Sequence, residues 1–169
     1  MSGLDLDELN DAEPEAASAA LAPLFEGAPR FLGRLVAARP FPGWDVLFEV
    51  ARSIAHGMSE IEQVELIDAH PRLGAPPGTV SALSYREQGY DRPDLAPVDA
   101  AAELERLNEA YEERHGFRYC VFVAGRSHEA LMPEMAVAVA ADRTAELHRA
   151  LDAVVDIAMA RLAGFKVEG

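Results

Sequence analysis

The chain has 169 residues, 50% hydrophobic and 26% charged, which is typical of a globular protein and excludes wholesale disorder. Its formal net charge of −14 excludes general attraction to nucleic acid or anionic membranes, because both carry the same sign. The single Cys120 excludes an intrachain disulfide. The acidic start lacks a signal-peptide core, and no apolar run is long enough to span a membrane. We therefore expect one cytoplasmic domain over residues 1–169.

The first part of the chain carries five predicted stretches. Residues 4–10 fit a short acidic helix or arm, and residues 15–26, 31–36 and 44–58 have the three-four spacing of amphipathic helices. Ser59 and Glu62 form the capping-box pattern that begins the fifth. On the same spacing, the residues expected to form its buried side are Ile61, Val64 and Ile67.

His70 begins the stretch with the most varied polar chemistry in the sequence. It comes one turn after the last apolar residue of the fifth helix, so it is expected on the inward face, and Pro71 stops the helix. A loop rich in proline and glycine leads to another short helix. There Ser84, Glu87 and Gln88 have i, i+3, i+4 spacing and are expected to point the same way.

Three further helices are predicted after that short helix, which is expected to end near Tyr90. Each of these three helices has a candidate N-terminal cap. In chain order the capping residues are Asp99, Ser127 and either Asp142 or Thr144. Glycines or prolines separate the stretches from one another. The last helix is expected to end near residue 163.

Residues 117–123, Phe-Arg-Tyr-Cys-Val-Phe-Val, are the one β-like run of the sequence. A single strand has no partner for its backbone hydrogen bonds, so we expect an extended segment that crosses the core. The predicted fold is therefore all-α, a single compact domain of about eight helices with one short extended segment. On the last helix Arg161 falls in the apolar stripe, where a guanidinium has to find an anion or reach solvent.

His70 is the first candidate for acid–base chemistry, because an imidazole titrates near neutral pH, although a plain helix cap is also common. Glu87 and Gln88 also fit a solvated helix face, and Ser84 a local backbone hydrogen bond. Arg161 also fits a cation at a helix end. The sequence contains none of the motifs HExxH, CxxC, GxGxxG, P-loop and GxSxG. The candidate polar residues that remain fit cofactor-free proton transfer on a small polar anion.

Four short motifs follow one another along the chain: His70-Pro71-x-Leu73-Gly74, Ser84-x-x-Glu87-Gln88, Asn108-x-x-Tyr111 and Gly116-Phe117-x-Tyr119. With them the sequence resembles the family of 2-oxo-4-hydroxy-4-carboxy-5-ureidoimidazoline (OHCU) decarboxylases over nearly its whole length. The resemblance implies decarboxylation of OHCU, a small anionic ureide, to (S)-allantoin in urate breakdown. It also implies an all-α homodimer that uses neither a metal nor an organic cofactor.

The resemblance also assigns roles to individual residues. His70 resembles the family's catalytic histidine, and Glu87 resembles its essential acidic residue. The implied substrate-binding residues come from the same motifs, the extended segment and the last helix: Pro71, Ser84, Gln88, Tyr119, Cys120, Val121, Phe122, Val123 and Arg161.

Some positions differ from the usual pattern of the family. Tyr119 stands where members often have phenylalanine, and the loop over residues 74–83 is shorter than usual. Because both belong to the implied pocket, a related lyase or hydrolase acting on another ureide stays open as an alternative. A non-catalytic all-α interaction module is the other alternative. Ala138 and Ala141, where many members have arginine and asparagine, lie away from the implied proton chemistry.

Overall fold

Helices make up the regular structure of this protein. The computed structural model describes residues 4–91 and 101–168, and these contain nine α-helices, a 3-10 turn at Pro77–Thr79 and no β-strand. The all-α prediction is confirmed, and the nine described helices agree with the expected number of about eight. The helices are α1 (Leu6–Asp11), α2 (Pro14–Phe25), α3 (Pro29–Ala37), α4 (Trp44–Gly57), α5 (Glu60–Asp68), α6 (Ala82–Glu87), α7 (Ala101–His115), α8 (His128–Ala140) and α9 (Arg143–Glu168).

The described residues group into two compact units. The first unit holds the residues up to Ala69 and those from Leu151 onward, and the second holds the described part of His70–Ala150. A single domain over residues 1–169 stays a prediction. The expected cap Asp99 lies outside the described residues. None of the described helices combines the length and the apolar character that a membrane crossing needs.

Apolar stripes on α2, α3 and α4 build the core of the first unit. Pro14 and Pro29 occupy the first positions of α2 and α3, where the N–H that proline lacks has no helical partner anyway. Burying a leucine or phenylalanine side chain contributes about 1.5–3 kcal/mol. The largest fully buried side chains on these three helices are Leu21, Leu24, Phe25, Phe31, Leu35 and Leu47.

The buried face of α5 differs from the predicted one. Ile61 is 75% exposed, so the expectation that it is buried is wrong, whereas Ile67 is fully buried as expected. Gln63 lies on the buried face because its side-chain Nε2 donates to the carbonyls of Ala55 and His56, at 3.1 and 3.2 Å. Those carbonyls belong to the last turn of α4 and have no partner within that helix. A polar residue therefore takes a buried position that an apolar one could not fill as well.

The core of the second unit forms around Tyr111 of α7, which is completely buried. Gly116 ends α7 with a φ of +81°, a conformation that side chains with a Cβ rarely adopt. Residues 117–123 then form neither helix nor strand but bury most of their side chains, which agrees with the predicted core segment. The Tyr111 ring contacts three rings at centroid distances of 4.5 to 5.7 Å: His115, Phe117 and Tyr119.

The last two helices begin as predicted. The Ser127 hydroxyl and the Asp142 carboxylate each accept a hydrogen bond from the backbone N–H three residues further on, at 3.1 and 3.0 Å. Asp142, rather than Thr144, is therefore the cap of α9. That helix continues beyond its predicted end, because Gly164 is tolerated inside it at a cost of about 1 kcal/mol.

Candidate functional site

His70 lies just beyond the end of α5 in the chain. The capping box between Ser59 and Glu62 that begins α5 is present as predicted, and the helix ends at Asp68. The His70 side chain is buried, with 4% of the residue exposed, as the inward-facing position implies. Arg118 donates a hydrogen bond to the His70 carbonyl at 3.1 Å, which anchors the backbone at this residue. The imidazole is thus held out of bulk solvent by a fixed backbone.

Two carboxamide side chains hold the loop that follows His70. Gln88 Oε1 accepts from the Gly74 N–H at 2.6 Å, and Gln88 Nε2 donates to the Arg72 carbonyl at 3.0 Å. Asn108 Nδ2 donates to the Leu73 carbonyl at 2.8 Å. Because a loop has no ladder of backbone hydrogen bonds, these contacts satisfy groups that burial would otherwise leave unpaired. Both motif residues therefore position the loop behind the histidine.

Gly74 is required by the geometry of this loop. Its φ is +84°, and a Cβ placed on it would lie 2.5 Å from Leu104 Cδ2 on α7. Any other residue would be strained and would also push the buried leucine away. The Tyr90 hydroxyl donates to the Ala75 carbonyl at 2.5 Å. This hydrogen bond attaches the residue after Gly74 to the segment that follows α6.

The second motif occupies α6 and the residue that caps its C-terminus. Ser81 caps α6 by accepting from the Ser84 N–H, and the Ser84 side chain is buried. Glu87 is the last residue of α6 and is half-buried. Gln88 caps the helix, and its amide is directed at the loop over residues 72–74. Their predicted roles toward a substrate stay predictions, and for Gln88 the structure adds a supporting role in the loop.

The carbonyls of the segment over residues 117–123 are held by arginine side chains. Arg149 Nη1 donates to the Cys120 carbonyl at 2.9 Å, and Arg126 Nη2 donates to the Phe122 carbonyl at 2.7 Å. Tyr119, Cys120 and Val123 are buried, while Val121 and Phe122 are half-buried. These guanidiniums thus pair with carbonyls that a neighbouring strand would otherwise satisfy.

Arg149 and Glu146 form a network that the sequence did not single out as part of a site. Arg149 Nε donates to both oxygens of Glu146 at 3.1 and 3.0 Å, and the Tyr111 hydroxyl donates to the same carboxylate at 2.9 Å. The guanidinium also lies over the Tyr119 ring, 5.1 Å from its centroid. Burial raises the pKa of Tyr119 to about 12, so its hydroxyl keeps its proton at neutral pH. The i, i+3 spacing of the charged pair was the signal available beforehand.

Arg161 pairs with an anion, which is one of the two outcomes expected from its place in the apolar stripe. It is 6% exposed, and its Nη2 donates to the Glu26 carboxylate at 2.8 Å while its Nη1 donates to the Pro23 carbonyl at 2.7 Å. Both partners lie at the end of α2, where the carbonyls have no helical partner. Arg161 belongs to the first unit, whereas the other predicted site residues belong to the second.

A protein-family model described as OHCU decarboxylase matches residues 10–163. This chain belongs to the OHCU decarboxylase family. The resemblance read from the motifs is thereby confirmed.

Known proteins match this chain over nearly its whole length. The 2-oxo-4-hydroxy-4-carboxy-5-ureidoimidazoline decarboxylase of Haloferax volcanii is 30% identical over 163 residues, which cover 96% of each chain. The uric acid degradation bifunctional protein PucL of Bacillus subtilis is 29% identical over 163 residues, which cover 96% of this chain and 33% of PucL. A crystal structure of OHCU decarboxylase in the presence of (S)-allantoin aligns with a TM-score of 0.69 at 19% identity, covering 90% of this chain and 97% of the other. That structure carries the same all-α fold.

Within the second unit, the fold brings together three of the segments that carry the family's motifs. Arg118 links the segment of residues 117–123 to His70, and Gln88 links α6 to the loop over residues 72–74. The half-buried Pro71 lies between these two attachments in the chain. Among residues 4–91 and 101–168, no three His, Cys, Asp or Glu side chains are grouped to hold a metal ion. How each residue meets a substrate stays a prediction.

Proposed function

We propose that this protein decarboxylates OHCU to (S)-allantoin, with His70 and Glu87 as the catalytic pair and with no metal or organic cofactor. The observation that carries the proposal is the match of the OHCU decarboxylase family model to residues 10–163. The site supports it independently, since a buried imidazole and a half-buried carboxylate lie in one compact unit with rigid backbone around them.

The substrate itself supplies the electron sink for this reaction. One ring carbon of OHCU carries both the carboxylate and a hydroxyl, beside a ring C=N. When the bond to the carboxylate breaks and CO2 leaves, the electron pair is delocalised into that C=N. His70 then donates a proton, and the choice of face decides the handedness of the product. An imidazole suits this transfer because its ordinary pKa is near neutrality.

Glu87 orients the imidazole and favours its protonated form, because a nearby carboxylate raises the proton affinity of a base. Ser84, Gln88 and the backbone of residues 121–123 recognise the amide groups of the substrate. Polar groups that are already fixed before the reaction stabilise developing charge with little reorganisation. The hydrogen bonds of Arg149 and Arg126 to this segment supply that rigidity.

Pro71, Tyr119, Cys120 and Arg161 complete the proposed substrate-binding set. Arg161 suits an anionic or carbonyl oxygen because its fork of donors is planar and always charged. Its contacts with Glu26 and Pro23 hold the guanidinium in one orientation. The homodimer and the cytoplasmic location expected of the family are further parts of the proposal, and sedimentation of the purified protein tests the first of them.

A related lyase or hydrolase acting on another ureide is the second candidate. Tyr119 favours it, because a buried hydroxyl that stays protonated adds a hydrogen-bond donor near residues expected to meet the substrate. The phenylalanine common at this position in the family has no such group. A non-catalytic module is disfavoured by the complete set of polar motif residues.

The decisive experiment replaces His70 by asparagine and Glu87 by glutamine, and follows optically active allantoin by circular dichroism while OHCU is generated in the cuvette. Each variant is expected to lose about 10²- to 10⁴-fold in rate, the range for a general acid or base. Both should keep the far-UV spectrum of the parent. An exposed carboxylate on α7, Glu103→Gln, is the matched control and should retain full rate. A parent protein that yields only racemic product at the uncatalysed rate would refute the proposal.

A further inference from the structure

Arg118 joins the segment over residues 117–123 to the backbone of His70. Its Nη1 donates to the His70 carbonyl at 3.1 Å, and both residues belong to the second unit. That carbonyl is part of the peptide bond to Pro71, and a residue that precedes proline favours extended conformations. A guanidinium keeps its charge at neutral pH, so its hydrogen bond is stronger than one between neutral groups. The bond therefore adds a second restraint to the residue that carries the imidazole.

The backbone on either side of Arg118 is held by the core of the second unit. Phe117 and Tyr119 are buried, and their rings pack on Tyr111 at centroid distances of 5.7 and 5.1 Å. The Arg149 guanidinium lies over the Tyr119 ring, 5.1 Å from its centroid. Close-packed aromatic neighbours leave little freedom to the residue between them. Arg118 itself is half-buried, so its side chain extends from a fixed base.

The contact made by Arg118 differs from the carboxamide contacts described above. Gln88 at the end of α6 and Asn108 of α7 bond the backbone of residues 72–74, which follow the histidine in the chain. Arg118 instead bonds the carbonyl of the histidine itself. It also belongs to the segment over residues 117–123, whose backbone is proposed to recognise the substrate. Arg118 therefore connects the proton donor directly to the proposed substrate-binding segment.

We propose that Arg118 is a positioning residue for the decarboxylation, which acts through the His70 carbonyl and fixes the imidazole relative to a substrate held on residues 121–123. The inference rests on the proposed function, in which His70 donates the proton. Proton transfer requires the donor within hydrogen-bond reach of the carbon that receives the proton, and a displacement of about 1 Å can reduce the rate about 10²-fold. Arg118 thus aligns two parts of the site that lie 48 residues apart in the chain.

Arg143 provides a matched control for this role. It is also a half-buried arginine of the second unit that donates to the backbone carbonyl of a histidine, from its Nε to His115 at 2.8 Å. His115 is not among the residues proposed to act on the substrate. The Arg143 guanidinium also lies over the Phe117 ring, 5.6 Å from its centroid, so its loss disturbs the same core. Replacement by methionine removes the donors of either arginine and keeps an unbranched stem.

Steady-state kinetics of the full-length variants test the proposal. Arg118→Met is expected to lower kcat about 10²-fold while KM stays within about twofold, because the substrate still binds but the imidazole is misplaced. Arg118→Lys keeps a charged N–H donor and should restore kcat to within about tenfold of the parent. Arg143→Met should leave kcat and KM within about twofold of the parent. An unchanged kcat in Arg118→Met, an equal fall in Arg143→Met, or a change confined to KM overturns the proposal.

A spectroscopic measurement follows His70 directly and does not require activity. The chain has five histidines, so the imidazole Cε1–H resonance of His70 is assigned in a ¹H–¹³C spectrum by its loss in His70→Asn. This resonance is expected to shift in Arg118→Met, because the released residue changes its surroundings. It should stay at the parent position in Arg143→Met. A resonance that does not move in Arg118→Met overturns the proposal.

The two measurements distinguish a failure of this inference from a failure of the proposed function. A parent protein without decarboxylase activity refutes the proposed function, and the His70 resonance then decides whether Arg118 holds the imidazole in place. An active parent whose kcat is unchanged in Arg118→Met refutes the positioning role and leaves the proposed function standing.

Discussion

The two units use the same kind of contact, a side chain that donates to a backbone carbonyl, at different places. In the first unit, Arg39 donates to the carbonyls of Leu9 and Ala12, both at 2.7 Å, at the end of α1. In the second unit, Asn108 donates to Leu73 and Arg149 donates to Cys120, both outside any helix. Arg39 thus completes a helix, whereas Asn108 and Arg149 stand in for regular structure.

This difference explains where the motif residues lie. A helix uses its own N–H and C=O groups internally, so little of its backbone is available to a ligand. An irregular segment leaves those groups available, but it needs side chains to keep it in one conformation. The second unit provides both, in residues 70–76 and 117–123, and these hold most of the residues proposed to act on the substrate.

The largest predicted effect comes from removing the anion at the centre of the second unit. Glu146→Ala leaves the Arg149 guanidinium without its carboxylate and the Tyr111 hydroxyl without its acceptor. Because the carboxylate is buried and the guanidinium half-buried, breaking the pair is expected to lower the free energy of unfolding by about 3 kcal/mol. Urea unfolding followed by circular dichroism measures this loss.

The matched control for that variant is Glu103→Ala, which breaks an exposed i, i+3 ion pair with Arg106 on α7. An exposed pair contributes little, so a change below about 0.5 kcal/mol is expected. Equal losses in the two variants would show that burial of the network adds nothing to the stability of the second unit.

A smaller effect on stability, with a large one on activity, is expected for Gln88→Ala. The variant releases the Gly74 N–H and the Arg72 carbonyl, which lowers the free energy of unfolding by about 1–2 kcal/mol. Because the freed loop follows His70, misplacement of the histidine by about 1 Å is expected to reduce kcat about 10²-fold. Steady-state kinetics and urea unfolding measure the two effects.

Gln63→Ala is the corresponding change in the first unit, since it releases two carbonyls at the end of α4. It should cost about the same stability while kcat stays at the parent value. A similar fall in kcat for both glutamine variants would contradict the distinction between contacts that complete helices and contacts that shape the site.

The smallest effect concerns the ion pairs of Asp152, which accepts from Arg52 at 2.7 Å and is 2.8 Å from His56 Nε2. Burial acts to raise the pKa of Asp152, but the hydrogen bonds from His56 and Arg52 outweigh it and lower the pKa below 3.8. A carboxylate whose pKa is lowered by folding stabilises the protein above its ordinary pKa and loses this contribution as the pH falls through the folded value.

Asp152→Asn should therefore be less stable than the parent by about 0.5–1 kcal/mol near neutral pH, the range for partly exposed pairs. The difference should shrink as the pH falls below 3.8. Urea unfolding at a series of pH values checks this. A difference that stayed constant down to acid pH would show that the aspartate acts through its shape and not its charge.

The predictions that succeeded rest on neighbours in the chain. The capping box of Ser59 and Glu62, and the caps at Ser127 and Asp142, are formed by residues three apart, so local spacing is sufficient to find them. Arg161 was expected to find an anion or reach solvent, because a charge in an apolar stripe has to be compensated. Its actual partner, 135 residues away, was not predictable from spacing.

The prediction that failed shows the opposite case. Ile61 was expected to be buried from its spacing, but Gln63 takes the buried face because the end of α4 offers it two acceptors. Gln88 likewise turns toward Arg72 and Gly74, contacts that its helical spacing did not indicate. In each case the side-chain amide points toward backbone groups outside its own helix, and helical spacing alone does not indicate those groups.

By itself the sequence determined the all-α class, the caps at Ser59, Ser127 and Asp142, the family motifs and the buried position of His70, because apolar periodicity, caps and motif spacing are local properties. The tertiary structure alone decided which carbonyls the glutamine, asparagine and arginine side chains satisfy. The physical reason is that every buried polar group needs a partner, and in an irregular segment that partner comes from residues far away in the chain.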